Sequence, residues 1–81
     1  MSLIIKEQGG FNREVELSNE IGTIIKTIGI DTEMTNTEMI DTLKHASAHM
    51  VAQGKQDEYQ KLISAADEVQ EWSSENVTVY F

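Results

Sequence analysis

Four polar side chains at helical spacing are the first candidates for chemistry in this sequence of 81 residues. They are Glu38, Asp41, His45 and His49. At 100° per residue they span about 80° of a helix surface, so they share one side of it. Imidazole and carboxylate groups one turn apart can bind one metal ion, and zinc is the ion expected there. The alternative is a solvated polar face with two ordinary histidines.

An excess of acidic residues gives the second candidate site. Fourteen Asp and Glu residues oppose six Lys and Arg residues, for a formal net charge of -8. Part of the excess falls on the outer side of a predicted helix, at Asp67, Glu68, Glu71 and Glu75. Regularly placed carboxylates can imitate a phosphate backbone and occupy the basic groove of a nucleic-acid-binding protein. The alternative is that this charge serves solubility, as it does in many small domains.

Aromatic side chains near the end of the chain give the third candidate site. Trp72 lies at the margin of an apolar helical stripe, and Tyr80 and Phe81 end a β-prone segment. Aromatic residues outside a core often anchor interfaces, whereas Trp72 can instead cover the edge of a small core. An unpaired apolar strand over residues 76–81 would promote aggregation. We therefore expect it to pair with other strands of the chain or with a second copy, which predicts a homo-oligomer, most simply a dimer.

The composition disfavours several classes of function. Without cysteine there is no thiolate metal site and no cysteine nucleophile. Neither a Gly-rich phosphate loop nor a nucleophile motif occurs, so we expect no enzymatic activity and no cofactor other than zinc. The bases are scattered, which disfavours direct binding of nucleic acid or of an anionic membrane. No run approaches the ~20 apolar residues of a membrane span and no signal peptide is evident, so we expect a cytoplasmic location.

Two β-prone runs, 2–7 and 11–17, flank a Gly-Gly pair and predict an N-terminal hairpin. The second run alternates apolar and polar side chains, with Phe11 on its apolar face. Arg13 interrupts that face, which places it near the rim of the sheet. The terminal β-prone segment then adds a third strand to the prediction.

A helical period follows the hairpin. Isoleucines at i, i+3, i+4 and i+7 from Ile21 form one apolar stripe. Either Ser18 or Asn19 can cap the start of this helix, and Gly29 can end it. Isoleucine is β-branched, so a strand is the alternative for this segment, but the spacing favours a helix.

Two further helices form a predicted antiparallel pair. A capping box from Thr35 to Glu38 begins the first of them, and Gly54 ends it. The second runs from near Asp57 to near Trp72, and the short connection places the two side by side. The order ββαααβ predicts a single small α+β domain over residues 1–81. Its sheet, built from the hairpin and the terminal strand, would pack on the helical hairpin and one further helix.

These features together favour a non-enzymatic protein-interaction module with a protein partner. Small acidic α+β proteins of this size are frequent among phage and mobile-element accessory proteins, so a small inhibitor or accessory factor of that type is the expected role. An acidic nucleic-acid mimic and a metal-binding protein are the alternatives. The residues predicted to contact the partner are Asp67, Glu68, Glu71, Trp72, Glu75, Tyr80 and Phe81.

Overall fold

The computed structural model describes residues 2–9 and 13–81 of the chain. Four strands form one antiparallel sheet: β1 (Leu3–Glu7), β2 (Glu14–Leu17), β3 (Glu33–Thr35) and β4 (Asn76–Tyr80). Three helices cover one face of this sheet: α1 (Asn19–Ile28), α2 (Asn36–Ala52) and α3 (Gln56–Glu71). The predicted α+β class is therefore confirmed.

The order of strands in the sheet is β2-β1-β4-β3. The predicted hairpin of β1 and β2 forms, with Leu3 opposite Leu17 and Lys6 opposite Glu14. The interpretation of Phe11 lies outside the described residues. The terminal strand β4 is an interior strand, because it pairs with β1 on one side and with β3 on the other. Both of its edges are thus occupied within the chain, and a dimer cannot form by adding a second copy to β4.

Strand β3 was absent from the predicted order. It covers three residues just before α2, and its central residue Met34 is half-buried against the core. A run with one apolar residue carries too little alternation to indicate a strand. Its partner β4 follows it by some forty residues, so only the tertiary fold brings the two segments together.

The predicted signals at the helix ends are confirmed. Ser18 is the cap of α1, since its Oγ accepts a hydrogen bond from the amide of Ile21 at 3.3 Å. The chain leaves α1 through Gly29 at φ 98°, a conformation that residues with a Cβ rarely adopt. The capping box of α2 is complete, with reciprocal hydrogen bonds between Thr35 and Glu38.

One apolar core lies between the sheet and the helices. It takes alternate residues of β1 and β4 and one stripe from each helix. The largest side chains that are fully buried are Leu3, Ile5, Ile21, Ile25, Met39, Leu43, Met50, Leu62, Val69 and Val77. The opposite face of the sheet carries the remaining strand side chains and is open to solvent, because no described helix covers it.

Candidate interaction surface

The charged side chains divide into a paired minority and a larger unpaired group. Four acids lie near bases: Glu14 near Lys6, Glu7 near Arg13, Glu20 near Lys55 and Glu58 near Lys61. The other ten acidic residues have no base within 4.0 Å among the described residues, and every one of them is exposed. The surface therefore carries a large uncompensated negative potential.

Three of the four acidic residues predicted on the third helix lie on it, and the prediction for Glu75 is wrong because the helix ends at Glu71. Asp67, Glu68 and Glu71 are exposed on α3, and Glu75 is exposed in the loop between α3 and β4. None of the four has a base within 4.0 Å in the described part of the chain. They are available to a partner that supplies positive charge.

Trp72 does not belong to this surface. Its residue is 6% exposed and lies in the core directly after α3, which is the alternative that the sequence left open. Burial of this large ring closes the end of a small core that has few other aromatic residues. Trp72 is therefore not expected to contact a partner.

The two aromatic residues at the end of the chain lie on different surfaces of the molecule. Tyr80 lies on the open face of the sheet, is 49% exposed, and has the Lys6 ammonium 5.5 Å from the centre of its ring. Phe81 lies beside α1, where the Lys26 ammonium is 5.9 Å from its ring centre. Both contacts are within the range of cation–π attraction. The predicted partner-contacting residues thus fall on separate surfaces.

The candidate metal ligands are only partly brought together. The rings of His45 and His49 lie side by side on α2, with their centres 5.5 Å apart and their planes tilted by 54°. They border a groove of 440 Å³ between α1 and α2. Within residues 2–9 and 13–81, no group of three His, Asp or Glu side chains is placed to hold a metal ion. Asp41 is exposed one turn before His45 on α2, so the pairs Asp41 with His45 and His45 with His49 are what remains of this hypothesis.

Glu38 has a structural task at the start of α2. Its carboxylate accepts hydrogen bonds from the amide and the hydroxyl of Thr35, at 3.1 and 2.9 Å. Both hydrogen bonds lower the pKa of Glu38 below its ordinary value of 4.5, and the one from the backbone amide of Thr35 contributes more than the one from its hydroxyl. A carboxylate engaged in this way is a poor candidate for a metal ligand.

No pattern in the sequence indicates the groove that lies between β2 and α3. This groove has a volume of 290 Å³, and Val15, Leu17, Ser64 and Ala65 are among the residues that line it. Its β2 side is an edge of the sheet. Sequence reasoning missed it because the groove depends on where α3 crosses the sheet, which no local pattern specifies.

Comparison with protein families, with curated proteins and with solved structures finds no match for this chain. No helix in the described ranges is both long and apolar enough to cross a bilayer.

Proposed function

We propose that this chain is a non-enzymatic protein-interaction module that binds a basic region of a protein partner, in the manner of a small inhibitor or accessory factor. The observation that carries the proposal is the set of ten exposed acidic side chains without a basic neighbour within the described residues. Such a surface steers a positively charged partner and accelerates its association.

The arrangement of the bases supports the same proposal. Four of the six bases lie near an acid, and Lys26 lies over the ring of Phe81. The positive charge of the chain is thus largely used within the fold, whereas most of the negative charge is presented to the solvent. A partner that supplies Lys or Arg would neutralise this excess without competing with internal contacts.

The experiment is affinity capture with the immobilised chain at 50 mM and at 500 mM salt, read by mass spectrometry. The partner is then purified and its dissociation constant measured by titration calorimetry. Two variants of equal charge are compared. One carries amides at four positions on and after α3, namely Asp67, Glu68, Glu71 and Glu75. The other carries amides at four exposed positions elsewhere, namely Asp31, Glu33, Asp41 and Asp57.

We expect a stoichiometric partner whose affinity falls with salt, because exposed charges are screened beyond about 8 Å at physiological ionic strength. We also expect the first variant to bind more weakly than the second, since the carboxylates of α3 are clustered. Binding that is unaffected by salt and by both variants would show that the acidic surface is not the binding element.

The nucleic-acid mimic is the runner-up and is favoured by the exposed carboxylates along α3. It predicts that the captured partner itself binds nucleic acid and that duplex DNA displaces this chain from it. A partner that binds the chain and a DNA duplex at the same time would reject mimicry and leave the interaction module standing.

The metal hypothesis is supported by the adjacent rings of His45 and His49 and by Asp41 one turn before His45. It predicts that Zn²⁺ raises the melting temperature and that His45→Ala removes the increase, because a ligand that binds only the folded state stabilises it. An unchanged melting temperature would reject it. The homodimer is tested separately by sedimentation, and any dimer has to use a surface other than the edges of β4.

A further inference from the structure

The two edges of the sheet differ in how they are closed. At the edge formed by β3, the strand has three residues, and the outward amide of Thr35 donates to Glu38 Oε1 in the capping box. The chain then turns directly into α2. Short length and internal hydrogen bonding are the usual means by which proteins protect an edge strand. Within β3, these features leave only the backbone groups of Glu33 pointing outward without a partner among the described residues.

The edge formed by β2 is open. The amide of Glu7 donates to the carbonyl of Arg13 at 3.0 Å, which fixes the alternation of the antiparallel ladder. The backbone N–H and C=O groups of Val15 and Leu17 therefore form hydrogen bonds with β1. Those of Glu14 and Glu16 point away from the sheet. Among the described residues, no hydrogen bond to these outward groups is present. Two donors and two acceptors are thus available to another strand.

A groove runs beside this open edge. Helix α3 forms its other wall, from Gln60 to Glu68, which corresponds to about 12 Å of helix. That length accommodates three to four extended residues at ~3.4 Å each. The walls nearest the strand are apolar or small, with Val15, Leu17 and Ala65 among them. The groove can therefore take a side chain from an added strand, while the edge takes its backbone.

The charges around the edge select the occupant. Glu16 and Glu68 line the groove and have no base within 4.0 Å in the described part of the chain, and Lys61 lies 3.9 Å from Glu58. A second copy added antiparallel through its own β2 would bring Glu14 of one molecule opposite Glu16 of the other, and like charges opposed across strands are destabilising. A basic segment brings opposite charges to the same positions, where Glu16 has no base within 4.0 Å among the described residues and Glu14 shares its charge with Lys6 at 4.0 Å.

We propose that β2 and α3 form a strand-docking site for an extended basic segment of a protein partner, which joins the sheet as a fifth, antiparallel strand. This inference rests on the proposed function and specifies the surface through which the partner binds. Lys or Arg residues of the segment lie on the open face beside Glu14 and Glu16, and the small apolar residue between them enters the groove against Val15 and Ala65. Backbone hydrogen bonds supply the docking, and the alternation of basic and apolar residues supplies the selectivity.

The test uses a blocked five-residue peptide of alternating lysine and valine as the probe, titrated into the ¹⁵N-labelled chain in 150 mM salt. We expect saturable binding, with slower hydrogen exchange at the amides of Glu14 and Glu16. The same peptide with methylated lysine backbone amides keeps its charge and loses the donors that face β2. The methylated peptide should bind at least fivefold more weakly than the unmethylated one, because each lost hydrogen bond removes a favourable contact.

Charge reversal separates the docking site from general attraction. Glu14→Lys/Glu16→Lys should weaken binding of the peptide by about tenfold, since two favourable cross-strand pairs become unfavourable. The matched control is Glu33→Lys/Glu75→Lys, with the same change in net charge. Glu33 lies on β3, the opposite edge strand, which is separated from β2 by three inter-strand spacings, or about 14 Å. At 150 mM salt that distance exceeds the screening length, so we expect less than a twofold loss.

Three results would overturn the docking site: equal losses in the two charge-reversed variants, equal binding of the methylated peptide, or no binding of the peptide at 1 mM. The first two would leave the acidic interaction module intact, because binding would still follow charge. The module itself is rejected only by the capture experiment, so the two failures are distinguishable. A variant that does not fold is identified by its amide spectrum, and slower exchange at Glu14 and Glu16 then decides the question on the unmodified chain.

Discussion

The buried carboxylate of Glu7 permits a prediction of defined magnitude. Its side chain is 0% exposed, and Oε2 accepts a hydrogen bond from the amide of Ser74 at 3.0 Å. Its other oxygen, Oε1, has no hydrogen-bond partner among residues 2–9 and 13–81 and lies 3.9 Å from Nε of Arg13, whose side chain is 51% exposed. We expect Arg13→Ala to destabilise the fold, because it leaves a buried charge without its counter-ion.

The size of the effect follows from this distance. Two unit charges 3.9 Å apart attract by about 1 kcal/mol in water and by about 4 kcal/mol at an effective dielectric constant of 20. Because one partner is half-exposed, the coupling should lie in the lower half of this range, at about 1–2 kcal/mol. Glu7→Gln removes the charge and keeps an oxygen that can accept from Ser74. Arg13→Ala should therefore cost much less in the Glu7→Gln background.

The assay is urea denaturation followed by the fluorescence of Trp72, the single tryptophan, which is buried in the folded state. Four proteins form a double-mutant cycle: the unmodified chain, Arg13→Ala, Glu7→Gln and both together. A coupling free energy below about 0.5 kcal/mol would refute the reasoning, because it would equal the value of an ordinary surface ion pair.

The neighbouring pair of Lys6 and Glu14 provides a matched control. The two groups lie 4.0 Å apart in the same hairpin, and both side chains are about half-exposed, at 52% and 54%. The distance is nearly that between Glu7 and Arg13, so burial of the acid is the main difference. A cycle with Lys6→Ala and Glu14→Gln should give a coupling of at most about 0.5 kcal/mol.

Three further predictions concern stability. Glu38→Gln should lower the melting temperature at pH 7. The difference should shrink as the pH falls below 4.5, since a carboxyl with a lowered pKa in the folded state loses its stabilising effect as it is protonated; a pH-independent difference in calorimetry would contradict this. Gly29→Ala should cost about 1–3 kcal/mol in urea denaturation through backbone strain alone, because a Cβ there meets no atom within 4 Å. Leu43→Ala, at a fully buried position, should cost about 2–5 kcal/mol and leave a domain of this size largely unfolded at 37 °C by circular dichroism.

Local signals account for the parts of the fold that the sequence predicted. The hairpin pattern, the cap at Ser18, the capping box at Thr35 and the turn at Gly54 act within a few residues, so they can be read from neighbouring positions. The apolar stripes of the helices are periodic and equally local. Strand β3 has none of these signals, and it was therefore missed.

The candidate sites show the same division. The sequence alone determined the acidic excess and the exposure of Asp67, Glu68 and Glu71, because charged residues opposite an apolar helical stripe remain in water. It left two alternatives for Trp72, since a residue at the margin of a stripe is buried or exposed according to what packs beside it. In the structure, Trp72 is buried.

Only the tertiary structure decided which sheet edge is open. The sequence predicted strands but not their order, and the order places β4 in the interior and β2 at an edge. The groove beside β2 exists because α3, more than forty residues later in the chain, packs across that edge. Residue type and spacing act over short distances along the chain, whereas strand order and helix placement follow from how the whole core is buried at once.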